Sequence, residues 1–388
     1  MNRGWKGLLG VVSATAVTLV LTTGPAGAAA AQGWWSTEGY TVTNSGFNPN
    51  EPTLTAAKVP GLKLWRTTSP DQKYQSAPVL DKGRVFVYSA EFVTAYDEAT
   101  GEQLWRHEQP KGELSNHGGH LVVTEGKLVV AWNYGSDPYS SDYLEVLDAT
   151  TGTVLVEPQW TDGSVSRLLV DKGVVVLSGD TRYYADTVAF DLNTGKQIWT
   201  NANYMFAPAS ANGRILVRGH GGNVGPEVSQ VVDIRTGKVL VSVPNTYYSV
   251  LAASPDGSKF YLAWGHSLQA LDATTGKLSW IASYVYPQYA ALSPTGLYVS
   301  TTDHKMFALN LSDSKIAWTR AYTTDLLRPI VSGGVLYVTA YNSRLYALNP
   351  VDGSALTTPA FPVPVYPPVV TGARVYLTDG AKMSVYGL

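Results

Sequence analysis

One pattern returns along this chain at nearly even intervals: an apolar run, then Asp or Asn, two residues, Thr-Gly, and a second run that often carries Trp. Copies begin at Asp97, Asp148, Asp191, Asp233 and Asp272, with degenerate ones at Asn310 and Asn349; the intervals are 51, 43, 42, 39, 38 and 39 residues. A period of about 40 residues leaves few architectures open, because each unit must bury its apolar face against its neighbours. Four short strands and their turns need about that length, so each copy reads as one propeller blade.

The turn chemistry points to strands. Asp or Asn at the first position can accept bonds from backbone N–H groups two and three residues on. The Gly then supplies the positive φ of a tight hairpin. A second turn precedes each copy, as at Asp81-Lys82-Gly83, Asp171-Lys172-Gly173, Asn212-Gly213 and Ser332-Gly333-Gly334. It joins strand-like runs such as 121–132 and 329–340, with no helical period between them. Each unit is therefore strand A, tight turn, B, variable loop, C, Thr-Gly turn, D. Trp105, Trp199, Trp280 and Trp318 fall four residues after the Gly position. Large rings in a fixed register pack one blade on the next, so these tryptophans are assigned a structural role.

Seven turn copies imply seven blades, and the chain ends supply an eighth. Residues 367–388 provide strands A, B and C and stop where the next turn would begin. The missing D strand lies near the N-terminus, where Gly61-Leu62-Lys63-Leu64-Trp65 matches Gly101-Glu102-Gln103-Leu104-Trp105. The expected fold is an all-β, eight-bladed β-propeller of four-stranded antiparallel blades, closed by pairing of the N- and C-terminal strands. The alternative is a seven-bladed ring followed by a C-terminal hairpin. The stretches AYDEATGEQLW (95–105), AFDLNTGKQIW (189–199) and ALDATTGKLSW (270–280) resemble the repeat of the pyrroloquinoline-quinone (PQQ)-like β-propeller family. Residues 44–65 are similar to the lead-in segment of its secreted members. The resemblance covers about residues 33–388 and implies the propeller fold. It leaves function open, since the family spans quinoprotein dehydrogenases, outer-membrane assembly scaffolds and binding proteins.

The N-terminus reads as an export signal: Arg3 and Lys6, an apolar run from Leu8 to Leu21 too short to span a membrane, then Ala26-Gly27-Ala28 as a cleavage site. The expected organisation is a signal peptide over 1–28, a lead-in segment over 29–60, and one propeller domain over 61–388. The chain has no Cys, which excludes disulfides, thiolate metal sites and a lipid-modified cysteine. The protein is expected to be secreted, to an extracellular or periplasm-like space, and not a lipoprotein. Net charge is −2, so nothing favours nucleic acid or stable membrane insertion after cleavage. A monomer is expected.

Strand order sorts the connections onto two faces. A–B and C–D turns share one and are short and stereotyped. B–C loops and D-to-A connections share the other and are long and varied, which places the site at that channel mouth. The ligand-binding candidates there are His117, His120, Arg167, Arg218, His220, His266, His304, Arg328, Arg344, Trp132 and Trp264. Arg suits carboxylate or phosphate, and flat rings suit stacking. His117 and His120 with His220 could chelate a metal, but polar loop positions, solvated or bonded to backbone, are the preferred account of them, and no metal is expected.

The preferred reading is a non-catalytic binding or scaffolding propeller that recognises an envelope or extracellular protein, peptide or glycan, or a small molecule, with no cofactor. The alternative is an enzyme with its site at the same face, either a PQQ-dependent dehydrogenase with calcium or a lyase- or cyclase-like enzyme without a redox cofactor. Against the dehydrogenase stand the absence of a vicinal cysteine pair and of a clear GDW-type motif. Trp65 is grouped with the structural blade tryptophans through its match to Trp105.

Overall fold

The structure, a computed structural model, describes residues 34–68, 76–89, 91–110, 119–133, 142–160, 164–180, 185–202, 204–219, 228–244, 248–283, 285–341, 344–356, 361 and 366–388. Signal segment 1–28 lies outside the described residues. Among those described, no helix is long and apolar enough to cross a membrane, and the one helical element is a 3-10 turn at Val59–Gly61.

Eight separate four-stranded sheets form the ring. Blade 1 runs outward through Val79–Asp81, Arg84–Tyr88, Phe92–Asp97 and Gln103–Glu108. The innermost strands of blades 2 to 8 are His120–Thr124, Ser164–Asp171, Tyr204–Ser210, Ser249–Ala253, Pro287–Leu292, Ile330–Ser332 and Val369–Thr371. Buried apolar clusters sit between adjacent blades, so each sheet shares its core with its neighbours. Closure follows the expected pairing: Lys63–Thr68 lies antiparallel to Met383–Gly387, with Leu64 opposite Tyr386 and Thr68 opposite Met383.

The recurring motif holds two contacts at once. Inside the blade, Asp97 Oδ1 accepts the N–H of Ala99 at 2.9 Å and of Thr100 at 2.7 Å; Asp148, Asp191, Asp233 and Asp272 repeat this. Between blades, the Gly makes room for the preceding blade's outer strand. A Cβ on Gly152 would stand 2.6 Å from the Trp105 ring, and one on Gly237 2.8 Å from Trp199. The indoles donate across the same seam, Trp105 to Ala149 O, Trp199 to Ile234 O and Trp318 to Pro350 O. Trp65 departs from this and stacks instead under Arg374, 3.9 Å from its centroid. The Trp280 side chain lies outside the described set.

Blade 7 is built differently. Among the described residues its outer edge carries a single Leu348–Ala355 bridge, and a fourth strand, Phe47–Asn48, pairs parallel on the inner edge of Ile330–Ser332.

That parallel pair is the end of a longer path. The inner edge of each innermost strand is an open row of backbone groups, and the segment from Trp34 to Asn48 crosses these edges one blade after another. Trp35 exchanges two backbone bonds with Leu80 in blade 1. Carbonyls of Ser36, Val42, Thr43, Ser45 and Gly46 accept the N–H groups of Val123, Ser210, Ala253, Leu292 and Val331, in blades 2, 4, 5, 6 and 7. In blade 8, Asn48 Nδ2 donates to Val370 O at 2.9 Å. The partners stand at matching places just before each A–B turn, so the segment closes the A–B mouth of the channel. Gly46, at φ +59, passes so close to Pro329 O that a Cβ would stand 2.8 Å away.

Candidate functional site

With one mouth occupied by its own chain, the channel is lined and floored on the side of the B–C loops. Loop residues 134–141, 181–184, 220–227 and 245–247 lie outside the described set; His117 and His220 are also outside it. The remaining candidates separate into three groups.

Arg167, Arg218 and Arg328 converge. They project from blades 3 and 4 and from the connection into blade 7, and they line one cavity of about 220 Å³. Asn44 of the channel-crossing segment and Gln288 and Tyr289 of blade 6 complete its polar lining. Arg328 Nη1 donates to Asn44 O at 3.3 Å, and its guanidinium carbon lies 5.8 Å from the Tyr289 ring centre. Burial lowers the Arg328 pKa, partly offset by the charge of Glu38, so the surroundings disfavour the cation they hold. Arg218 Nη1 donates to Ser249 Oγ at 3.2 Å. His120, half-buried at the start of blade 2, is held below the usual imidazole range by burial, with Glu38 opposing and Arg167 reinforcing.

A second group forms an aromatic rim on blades 5 to 7. Trp264 is 46% exposed at the end of its strand. The His266 ring centre lies 4.1 Å from that of Tyr286. Tyr341 is 60% exposed. His304 Nδ1 stands 2.9 Å from Asp325 Oδ1, which engages it with a neighbour on the same rim. Arg344 is exposed at the start of the third strand of blade 7 and takes no part in the cavity.

Trp132 belongs to neither group and is the clear correction. It is fully buried. Its indole N–H donates to Glu145 Oε2 at 2.7 Å, and His107 Nε2 lies 3.2 Å from the same oxygen. Its position at the strand end suggests a rim residue, but the strand runs into the blade 1–blade 2 core, where the ring packs 5.3 Å from Tyr88.

Sequence reasoning passed over Asn44 and Glu38, which lie outside the repeat, and Gln288 and Tyr289, which sit on an innermost strand at positions that the repeat motif does not mark. For Asn44 and Glu38 the one available signal was the non-repeating character of residues 36–50 beside so regular a chain.

The family profile described as outer membrane protein assembly factor BamB matches residues 22–135, 89–244 and 265–358. No curated protein matches. Among solved structures, BamB from Moraxella catarrhalis superposes with a TM-score of 0.67 at 16% identity, covering 84% of this chain and 98% of that one. A europium-containing methanol dehydrogenase gives 0.73 at 13% identity, covering 92% and 98%. A quinohemoprotein alcohol dehydrogenase from Comamonas testosteroni gives 0.70 at 15%, covering 92% and 81%. At these identities the likeness is one of fold. The matched profile spans well over half of the sequence, and eight such blades close the ring: the chain belongs to the PQQ-like β-propeller family described by outer membrane protein assembly factor BamB.

Proposed function

We propose that this is an exported, non-catalytic binding or scaffolding propeller that recognises a protein, peptide or glycan of the cell envelope at the loop-bearing mouth of its channel. The observation that carries this reading is the asymmetry of the two mouths. One is covered by residues 34–48 bonded to blade after blade. The other presents exposed Trp264, Tyr286 and Tyr341 around an arginine-lined cavity. Large rings on a rigid frame supply contact area at low entropic cost, as binding surfaces do. The family profile, named for a protein-assembly factor, supports the same choice.

The donor set does not suit the calcium-bound quinone of the dehydrogenase alternative. Among the described residues the cavity lining offers the amide oxygens of Asn44 and Gln288 but no carboxylate, and three guanidinium groups would oppose a divalent cation. Among the described residues no group of three His, Asp or Glu is placed to hold a metal. No cofactor is proposed.

The test compares two faces of the purified protein. Capture of a specific envelope component should be lost in a Trp264→Ala, Tyr341→Ala double variant and kept in Lys172→Ala, Arg235→Ala on the opposite face. Equal capture by both variants refutes the choice of face. Dye-linked alcohol or sugar oxidation after addition of PQQ and calcium refutes the non-catalytic reading.

A further inference from the structure

An arc of side chains runs across the loop-bearing face of blades 5, 6 and 7, and its backbone is pinned from one loop to the next. Trp264 and His266 flank Gly265 in the tight turn of blade 5. The His266 carbonyl accepts the N–H of Val285 at 3.1 Å, and the Tyr286 ring lies against the His266 ring. The Tyr286 carbonyl accepts the N–H of Thr302 at 3.1 Å, in the turn that carries His304. The His304 carbonyl accepts the N–H of Tyr322 at 2.8 Å, and the ring faces Asp325, whose carbonyl accepts the N–H of Tyr341 at 3.0 Å. Tyr286 has φ +44, a costly conformation for so bulky a residue. Strain of this kind persists where surrounding bonds enforce it, and it gathers at ligand sites. Here it presents a ring that is 38% exposed, in line with exposed Trp264 and Tyr341.

The charges along the arc balance. Lys305 Nζ lies 2.6 Å from Asp303 Oδ2, and Asp325 is matched in number by Arg344. Such a surface exerts no long-range pull on a polyanion or a polycation. Flat rings with polar groups between them suit a neutral ligand with C–H faces and hydroxyl edges, which is a sugar chain. A peptide is held by its backbone on a strand edge or by side chains in pockets, whereas these rings stand at turns and strand ends. We propose that Trp264, Tyr286 and Tyr341 stack the pyranose rings of a neutral, linear oligosaccharide, with His304 and Asp325 bonding its hydroxyl groups. The inference rests on the choice of this face in the proposed function and selects the glycan from among its ligands. A carboxylate accepts from hydroxyls, and a neutral imidazole donates at one nitrogen and accepts at the other. Rings fixed beforehand by loop bonds lose little freedom on binding. The extent of the arc over three blades favours a chain over a single sugar.

Calorimetric titration of the purified protein uses cellohexaose, N-acetylchitohexaose, hexagalacturonate and glucose. We expect saturable binding of a neutral hexamer, little changed between low and high salt, with glucose far weaker. Trp264→Ala and Tyr286→Gly should each weaken the bound hexamer by about tenfold. Tyr286→Gly should do so with its melting temperature held, since Gly takes this φ freely. Tyr286→Phe keeps the ring and should bind as the wild type does. Asp325→Asn should weaken binding by about threefold, and Lys172→Ala, Arg235→Ala on the opposite face should leave it unmoved. No binding of either neutral hexamer, tighter binding of hexagalacturonate, or affinities unmoved by Trp264→Ala and Tyr286→Gly overturns the proposal. So does an envelope protein captured through the rim that saturating hexamer fails to displace. That last outcome keeps the binding face and replaces the glycan with a protein, so the failure of this inference is distinct from the failure of the proposed function.

Discussion

Glu98 is the residue on which closure of the ring can be tested most sharply. It follows Asp97 in the turn of blade 1, and its equivalents in the other copies are Ala149, Leu192, Ile234, Ala273, Leu311 and Pro350. One blade alone carries a charge at this place, and that blade faces the seam where the two chain ends meet. Glu98 is 4% exposed. Its Oε1 accepts the Tyr376 hydroxyl at 3.1 Å and lies 3.7 Å from Arg374 Nη1. Its carbonyl accepts Arg374 at 2.8 Å and Arg66 at 3.3 Å. Tyr376 and Arg374 belong to the second strand of blade 8 and Arg66 to its outer strand, so this one residue grips both halves of the composite blade. Burial, then the nearby Glu98 charge, pushes the Tyr376 hydroxyl well above the usual phenol range, which keeps it a donor at every ordinary pH.

Glu98→Ala should leave the buried Tyr376 hydroxyl unsatisfied, at about 2 kcal/mol. It also removes the counter-charge of a mostly buried Arg374, at about 1 kcal/mol more, since the backbone bond from Arg374 survives. For roughly 350 ordered residues the unfolding entropy is about 0.7 kcal/mol/K. The expected fall in Tm is then about 4 °C, and about 1 °C for Glu98→Gln, which keeps an acceptor for Tyr376. Amide exchange should quicken selectively in 63–68 and 383–387, because the seam opens before the ring unfolds. A double-mutant cycle with Tyr376→Phe should show strong coupling: once Glu98 is gone, removing the hydroxyl should restore stability. Fully additive effects, or exchange that rises evenly over all blades, would show that strand pairing alone closes the ring.

Other substitutions probe the repeat and the segment inside the channel. Gly152→Ala, which places a Cβ 2.6 Å from the Trp105 ring, should cost about 3 kcal/mol. Gly126→Ala, with φ +74 and nothing near its Cβ, should cost about 1 kcal/mol; equal urea midpoints for the two would refute the seam contact. Asn48→Ala removes the donor to Val370 O and should lower stability by about 2 kcal/mol, measured by the same denaturation. Backbone N–H donation from Thr100, Thr151 and Thr275, and first the hydroxyl of Thr194, depress the carboxyls of Asp97, Asp148, Asp272 and Asp191. Groups with lowered folded-state pKa stabilise above the unfolded pKa near 4 and lose that contribution as pH falls through the folded value. The Tm gap between the wild type and Asp148→Asn should therefore be full at pH 7 and close on acidification below about pH 4; a gap constant with pH refutes the assignment.

The repeat was legible because each copy states the same local physics: a carboxylate that closes a turn, a Gly that allows it, and a ring that needs the Gly's vacant space. Those demands recur, so they show as a period, and blade count and closure follow. Sequence position also singled out Arg167, Arg218 and Arg328 as candidates, but not that they line one cavity. They occupy three different places in their blades, on an inner strand, a second strand and a connection, so no periodicity links them. Trp132 failed for the converse reason. Its place at a strand end looks like a rim, but a buried Glu145 accepts its N–H, and nothing nearby in sequence reports a partner that the fold brings in from the next strand.

Departures from the repeat carry what is particular to this molecule. A ring of similar blades has no preferred seam and leaves an identical inner edge open in each copy. Glu98 breaks the equivalence at one seam. Residues 34–48, with no repeat of their own, can meet the edges of blades 2, 4, 5, 6 and 7 each with a different residue: a carbonyl of Ser36, then of Val42, Thr43, Ser45 and Gly46. Such a path needs a Gly where the backbone passes closest, at Gly46, while its larger side chains, Trp35, Tyr40, Val42 and Phe47, pack into the cores of the blades it crosses. The same path converts a through-channel into a chamber with a floor, and it brings Asn44 and Glu38 to the arginines. The segment that satisfies the ring's unpaired backbone is therefore also the one that gives the cavity its direction and its charge balance.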